Sequence, residues 1–155
     1  MKWIVVSDNH GLVEPLIKLK ERYPEAVGWI HCGDSELTPH EMQGFVSVQG
    51  NNDSYHMYPE TVILNLHGYR ALVVHGHRVS IQHRLKQLAA LAKESECQFV
   101  FFGHSHVFAD DTVDGIRIMN PGSIWRSRDG REKSYGVFEI DQNHQISFTF
   151  HAYKP

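Results

Sequence analysis

The sequence near the N-terminus reads Trp3-Ile4-Val5-Val6-Ser7-Asp8-Asn9-His10, so that a short apolar run leads straight into polar residues. A run of this kind is typical of a buried strand. Asp8 and His10 are two positions apart, and on an extended segment they project to the same side. The stretch therefore predicts a core strand that delivers a carboxylate and an imidazole together at its carboxyl end.

The same pattern recurs further along the chain, where apolar runs end in residues that commonly bind metals. The stretches are Trp29–Asp34, Phe45–Asp53, Leu72–His77 and Phe99–His106. In α/β folds, ligand sites collect at the carboxyl ends of strands. We therefore expect Asp, Asn and His side chains from these strand ends to meet around metal ions, which favours a metal-dependent hydrolase.

Size and composition favour one globular domain over residues 1–155. Hydrophobic residues make up 41% of the chain and the formal net charge is −3, so there is no electrostatic case for a nucleic-acid or membrane-binding protein. Two cysteines are too few for a disulfide framework. No run of about 20 apolar residues offers a membrane span, and a core strand from Trp3 leaves no room for a signal peptide. We expect a cytoplasmic protein.

Hydrophobic spacing predicts two amphipathic helices among the strands. One helix includes Pro15 and stops before Pro24, and the other is marked by the apolar series that runs from Ile81 to Ala92. Hairpins are predicted over residues 61–75, 107–118 and 135–151. Two sheets packed face to face, with the helices outside, would satisfy both the strand–helix part and the strand-rich last third.

Seven side chains at the strand ends form the predicted metal-binding set. They are Asp8, His10, Asp34, Asn51, His75, His104 and His106. One ion could hardly use all seven, whereas two ions that share a carboxylate could, at a separation of roughly 3.5–4 Å. Mixed nitrogen and oxygen ligation fits Mn, Fe, Zn, Co or Ni better than Mg or Ca.

The motifs, taken in order, resemble the calcineurin-like metallophosphoesterase superfamily. They are Asp8-Asn9-His10, Gly33-Asp34, Gly50-Asn51-Asn52-Asp53, His75-Gly76-His77 and Gly103-His104-Ser105-His106. The short length and Asn120-Pro121-Gly122-Ser123 are similar to its small bacterial and archaeal phosphodiesterase branch, the YfcE/YsnB type. The resemblance covers Lys2 to about Trp125. It implies an α/β fold, a four-layer α/β/β/α sandwich of two mixed β-sheets packed face to face and flanked by helices.

The resemblance also implies a role for each ligand. One divalent ion would be held by Asp8, His10, Asp34 and His106, and the other by Asp34, Asn51, His75 and His104. Asp34 and a hydroxide would bridge the ions, with Mn the favoured metal, and the hydroxide would attack the phosphorus of a small phosphodiester in line with its leaving group. Asp34, Asn51 and His77 are then the predicted catalytic residues. Relatives often pair, which leaves a homodimer or larger homo-oligomer open.

The chain departs from the superfamily pattern at Asn52, where many members carry a histidine that helps to protonate the leaving group. An amide cannot act as a general acid at neutral pH. His77 or water is left for that role, and we expect a preference for good leaving groups such as aryl phosphodiesters. His31 is predicted to be a buried histidine with satisfied hydrogen bonds. The residues predicted to support the ligands or to contact substrate are Asn9, Asn52, Asp53 and Arg126.

Other functions stay open on the sequence alone. The same site would suit a phosphomonoesterase or a nucleotide-polyphosphate hydrolase. The superfamily also includes non-catalytic scaffolds, such as the retromer subunit, which typically have eroded ligands. Every ligand position is filled in this chain, which counts against a scaffold.

Overall fold

The computed structural model describes all 155 residues. Its strands are β1 (Lys2–Val6), β2 (Gly28–His31), β3 (Val46–Ser47), β4 (Thr61–Leu66), β5 (Tyr69–Val74), β6 (Phe99–Phe101), β7 (Phe108–Val113), β8 (Ile116–Pro121), β9 (Ser134–Ile140) and β10 (Ile146–Ala152). Its α-helices are α1 (Glu14–Arg22) and α2 (Arg84–Glu94), and a single 3-10 turn spans Pro39–Met42. The predicted hairpins are confirmed as the pairs β4–β5, β7–β8 and β9–β10.

The strands form two five-stranded mixed sheets, with the orders β10-β9-β1-β2-β3 and β4-β5-β6-β8-β7. Strands β1, β2 and β3 run parallel in the first sheet, and β5, β6 and β8 run parallel in the second. The remaining strands join antiparallel at the edges. Each sheet therefore has a parallel part whose carboxyl ends point to the same side.

Alternation along the strands sorts the side chains into layers, because successive residues of a strand face opposite sides. In β1, Trp3 and Val5 enter the core between the sheets, while Ile4 and Val6 pack in the outer cluster that contains residues of α1. In the second sheet, Phe101 enters the same central core, and its neighbours in sequence pack in the cluster that contains α2. The predicted four-layer α/β/β/α sandwich is confirmed.

The second helix is shorter than its apolar series predicted. It begins at Arg84, and Ile81 lies in the preceding turn with 78% of its surface exposed. The side chain of Gln87 accepts a hydrogen bond from the backbone N–H of Ser80 at 2.7 Å, which holds this turn against the first turn of the helix. Ile81 therefore matched the helical period by coincidence. Neither helix combines the length and apolar character that crossing a bilayer requires.

Candidate metal centre

The predicted ligands come together where the loops that follow the parallel strands of both sheets meet. Across the two sheets, the His75 ring donates from Nδ1 to the Cys32 carbonyl at 2.7 Å, and the backbone N–H of His104 donates to Asp8 Oδ2 at 3.1 Å. On a third loop, the Ser123 hydroxyl donates to the Asp8 carbonyl at 2.8 Å. The site is thus built between the sheets rather than on one of them.

Several ligands sit on strained backbone. Left-handed φ angles between 45° and 68° are found at Asp8, His10, Asp34, His104 and His106. Non-glycine residues adopt this region rarely, and such conformations cluster at functional sites at a cost of about 1–3 kcal/mol each. The surrounding hydrogen bonds hold these turns in place so that the side chains converge.

Asp8 lies at the centre of the site and is fully buried. Its Oδ2 atom accepts hydrogen bonds from the Ser7 hydroxyl at 2.5 Å and from the backbone N–H of His104 at 3.1 Å. Its Oδ1 atom is buried without a hydrogen-bond partner. The Nε2 atoms of three imidazoles surround Oδ1, His106 at 3.3 Å and His10 and His75 at 3.9 Å. One carboxylate oxygen is therefore anchored and the other is free to bind a cation.

The rings of His10 and His106 are oriented by hydrogen bonds from their Nδ1 atoms. His10 donates to the Glu36 carboxylate at 2.7 Å, and His106 donates to the Arg126 carbonyl at 2.9 Å. The two Nε2 atoms then face each other at 3.4 Å. In neutral rings with this tautomer both Nε2 atoms carry lone pairs, which repel unless a cation lies between them.

The Nε2 atom of His75 also faces groups that cannot donate a hydrogen bond to it. Because its Nδ1 donates to Cys32, a neutral ring carries a lone pair on Nε2. That atom faces only oxygen acceptors, Asn51 Oδ1 at 3.1 Å and Asp34 Oδ2 at 3.3 Å, besides the free oxygen of Asp8. A proton or a metal ion on Nε2 resolves this conflict.

The side chains form two groups able to hold an ion, one of Asp8, His10 and His106 and the other of Asp8, Asp34 and His75. In each group the ligand atoms lie within 4.8 Å of one another. The carboxylate common to both is Asp8, whereas the resemblance implied Asp34. His104 belongs to neither group, and its ring centroid lies 5.2 Å from that of His75. Both oxygens of Asp34 already accept hydrogen bonds, which explains why Asp8 is the more central ligand.

Asn52 is the residue that binds Asp34. Its backbone N–H donates to Asp34 Oδ1 at 2.8 Å and its side-chain amide donates to Oδ2 at 3.0 Å. Asn52 therefore positions the carboxylate, at the place where many superfamily members carry a histidine.

Asp53 holds the loop around Asp34 through backbone contacts. Its carboxylate accepts hydrogen bonds from the backbone N–H groups of Asp34, Glu36 and Gly50 at 2.8–2.9 Å. It bonds no imidazole in this structure, so its support of the site goes through the backbone. Gly50 is required here, because a Cβ atom at this position would fall on the Asp34 carboxylate.

Asn9 and Arg126 support the ligands through hydrogen bonds and are not themselves among the ligands. Asn9 is fully buried; its amide donates to the Leu12 carbonyl at 2.9 Å and its Oδ1 lies 2.8 Å from His31 Nε2, so it shapes the turn between two ligands. His31 is the buried, satisfied histidine that was predicted, since its Nδ1 accepts from the Gly33 N–H at 3.0 Å. Arg126 contributes its carbonyl to His106 while its side chain is exposed.

Electrostatics keep both carboxylates charged at neutral pH. Burial raises the pKa of Asp8, but contact with His106, the charge of His75 and the Ser7 hydrogen bond outweigh it and lower the pKa. Burial likewise raises the pKa of Asp34, but the His75 and Asn52 contacts move it further down. By contrast, burial lowers the pKa of His31 to about 4, which keeps this ring neutral.

His77 lies beside the ligands rather than among them. Its ring centroid is 5.4 Å from that of His75 and 6.3 Å from that of His104, and its buried Nδ1 atom has no hydrogen-bond partner. Burial, followed by the charges of His75 and Arg78, lowers its pKa. The ring is therefore close enough to serve the chemistry and is neutral at pH 7.

These residues fit the binding of divalent metal ions. The unpartnered Asp8 oxygen converges with the Nε2 atoms of His10, His75 and His106. Imidazole nitrogen and carboxylate oxygen are the ligand types that Mn, Fe, Zn, Co and Ni accept.

Sequence reasoning missed the groups that orient the rings. Glu36, the Cys32 carbonyl and the Arg126 carbonyl each accept from a ligand imidazole, and Asn120 donates to the Gly103 carbonyl at 3.0 Å beneath the His104 turn. The spacing of Asp34 and Glu36 was an available signal. The carbonyl partners leave no trace in a sequence, since every residue has a carbonyl group.

Comparison with known proteins agrees with this site. A model of the calcineurin-like phosphoesterase superfamily domain matches residues 1–143. The chain belongs to that superfamily. It is 34% identical over 146 residues to the probable metallophosphoesterase YsnB of Bacillus subtilis, which covers 92% of this chain and 86% of YsnB.

Solved structures agree as well. The crystal structure of a conserved Streptococcus pneumoniae protein, a predicted phosphoesterase, has 30% identity and a TM-score of 0.83, with 97% of each chain covered. The wild-type Vps29 of Entamoeba histolytica, complexed with Zn²⁺, has a TM-score of 0.76 at 17% identity, over 97% of this chain and 98% of Vps29, which shows a shared fold. The superfamily predicted from the ordered motifs is confirmed, and membership indicates a metal-dependent phosphoesterase.

We expect Glu36→Gln to weaken metal binding by about tenfold, because the neutral amide accepts from His10 less strongly than the carboxylate does. Isothermal titration of the metal-free protein with Mn²⁺ measures this. Glu25→Gln, which alters an exposed partner of Lys2, is the matched control. Equal affinities in the two variants would show that Glu36 does not support His10.

Proposed function

We propose that this superfamily member hydrolyses phosphodiesters with two divalent metal ions, Mn²⁺ being the favoured metal. The main support is the buried Asp8 Oδ1 atom, which lacks a hydrogen-bond partner and lies within 3.9 Å of three imidazole Nε2 atoms. A buried carboxylate oxygen without a partner costs folding free energy. In a metal-dependent superfamily the chain would retain such an oxygen because it binds a metal ion.

The ligands divide between two positions in this proposal. Asp8, His10 and His106 would hold one ion, and Asp34, His75, Asn51 and His104 would hold the other. Asp34 remains the bridging carboxylate implied by the resemblance, and the central place of Asp8 makes it the rival for that role. The two carboxylates are charged at neutral pH and offset the positive charge of the ions.

When bound, the ions would lower the pKa of a water molecule and stabilise negative charge on the phosphoryl oxygens. The chain's own groups then orient the reaction. Asn52 keeps the Asp34 carboxylate in one position, and Glu36 and the carbonyls of Cys32 and Arg126 fix the imidazoles. The departing oxygen would take its proton from water or from the protonated fraction of His77, which is small at neutral pH because burial lowers the pKa of that ring.

A diester suits the mouth of the site better than a monoester. The exposed amides Asn51 and Asn52 lie beside the ligands and donate hydrogen bonds without adding charge, while the guanidinium of Arg128 donates to the His104 carbonyl at 3.3 Å. A diester carries one negative charge, whereas a monoester dianion needs further cationic donors. The fold is shared with Vps29, so the fold alone does not separate a hydrolase from a scaffold, and the complete ligand set favours the hydrolase.

The test compares two substrates on one protein preparation. Metal-free protein is reloaded with Mn²⁺, its metal content is measured by elemental analysis, and hydrolysis of bis-p-nitrophenyl phosphate and p-nitrophenyl phosphate is followed. We expect kcat/KM for the diester to exceed that for the monoester by about tenfold or more, and the metal-free sample to be inactive. A faster monoester reaction would support the phosphomonoesterase alternative, and no hydrolysis of either ester would support a scaffold.

A further inference from the structure

Trp125 is a large apolar side chain left in the open beside the metal ligands. It is 44% exposed, whereas its neighbour Ile124 is 1% exposed, so the loop buries one apolar residue and presents the next. The indole ring centroid lies 4.7 Å from that of His10 and 6.1 Å from that of His106. An aromatic surface therefore borders the predicted ligands at the mouth of the site.

The position of Trp125 is set by the same hydrogen bonds that set the ligands. Its backbone N–H donates to the Ser123 hydroxyl at 3.1 Å, and that hydroxyl donates to the Asp8 carbonyl. The indole is thus linked to the Asp8 turn through one side chain. The hydrogen bonds therefore tie the backbone of Trp125 to the turn that carries Asp8.

We propose that Trp125 is a stacking subsite for a flat aromatic ring carried by the part of the phosphodiester that is not expelled. This inference rests on the proposed function and names a substrate class for it, phosphodiesters that carry a nucleobase or an aryl group. An indole that is 44% exposed offers aromatic surface to a ligand, and bases and other rings stack on aromatic side chains without hydrogen-bond readout. A phosphoryl group held at the ligands places its alcohol substituents within reach of this ring.

A structural role for Trp125 predicts a different outcome. If the indole only packs against His10 to orient it, its removal should impair every substrate equally. If it contacts the substrate, its removal should impair only those substrates that carry a second ring. Substrates with the same leaving group separate the two roles.

The experiment measures kcat and KM of the Mn²⁺-loaded enzyme and its Trp125→Ala and Trp125→Phe variants. The substrates are the p-nitrophenyl ester of thymidine 5′-phosphate, phenyl p-nitrophenyl phosphate and methyl p-nitrophenyl phosphate, which all release p-nitrophenolate. We expect Trp125→Ala to lower kcat/KM about tenfold on at least one ring-bearing ester, mainly through KM. The methyl ester should change less than about twofold, and Trp125→Phe should keep most of the ring preference. A greater loss on the thymidine ester points to a nucleobase, and a greater loss on the phenyl ester points to an aryl group.

A binding measurement keeps this subsite separate from the proposed hydrolysis. By isothermal titration, thymidine 5′-monophosphate and phenyl phosphate are compared with methyl phosphate on the metal-loaded protein and on Trp125→Ala. If Trp125→Ala weakens the binding of a ring-bearing compound but not of methyl phosphate, the subsite is supported. The absence of hydrolysis of every ester would overturn the proposed function but not the subsite. Equal losses on all three esters, or no ring-dependent loss in either assay, would overturn the subsite and leave the hydrolase intact.

Discussion

Replacing Asp8 with asparagine is expected to abolish hydrolysis and to release the metal ions while the protein stays folded. Asp8 lies in both candidate metal groups, and its free oxygen is the atom that three imidazoles surround. An asparagine can still accept from Ser7 and from the His104 N–H, so the turn is kept. Asparagine carries no negative charge. If its NH₂ group faces the imidazoles, it donates hydrogen bonds to their Nε2 atoms in place of a cation. We expect turnover to fall by about a thousandfold or more.

Elemental analysis and thermal unfolding of the same preparation check this result. The matched control is Asp114→Asn, in the exposed β7–β8 turn, where a left-handed φ of 52° also suits asparagine. The control should retain full metal content and activity. If Asp8→Asn kept both ions, Asp8 would not belong to the metal centre.

The second large effect is expected from Asp34→Asn, which should abolish turnover and weaken metal binding. Loss of the negative charge removes the bridging ligand that the proposal assigns to Asp34. The change also places an amide against Asn52, whose side chain and backbone N–H both donate to this carboxylate. We expect a loss of about a thousandfold in kcat/KM, and unchanged hydrolysis would refute the bridging role.

A graded control separates the charge of Asp34 from its position. Asn52→Ala removes one hydrogen bond to the carboxylate but leaves the charge, and it should cost only about tenfold. Metal content then distinguishes the two carboxylates. If Asp34→Asn loses one ion and Asp8→Asn loses both, then Asp8 rather than Asp34 is the shared ligand.

Much of this architecture could be predicted because the strands carry their own periodicity. The alternation of Trp3 and Val5 with Ile4 and Val6 decides which face of β1 meets the other sheet. The strand ends decide where the polar residues collect, and the ordered motifs therefore predicted a shared site. Ile81 misled the prediction of α2, because an apolar residue in a turn can match the helical period without belonging to the helix.

The finer geometry of the site could not be read from the sequence. That Asn52 binds Asp34, or that Glu36 orients His10, depends on contacts between loops 18 to 26 residues apart in the chain. The choice of Asp8 as the central carboxylate depends on which oxygens are already occupied by hydrogen bonds. These are properties of three-dimensional packing, which residue types and spacing do not encode one at a time.

The left-handed backbone at the ligands affects which substitutions the chain tolerates there. The residues are Asp8, His10, Asp34, His104 and His106. Such a conformation costs a residue other than glycine about 1–3 kcal/mol, whereas glycine adopts it without a steric penalty. Glycine at these places would relieve the backbone strain, but it would also remove the ligands and the hydrogen bonds that Asp8 and Asp34 accept. In a descendant kept only for docking, the backbone strain at these turns would favour the loss of the ligands, and a continuing need for catalysis would favour their retention.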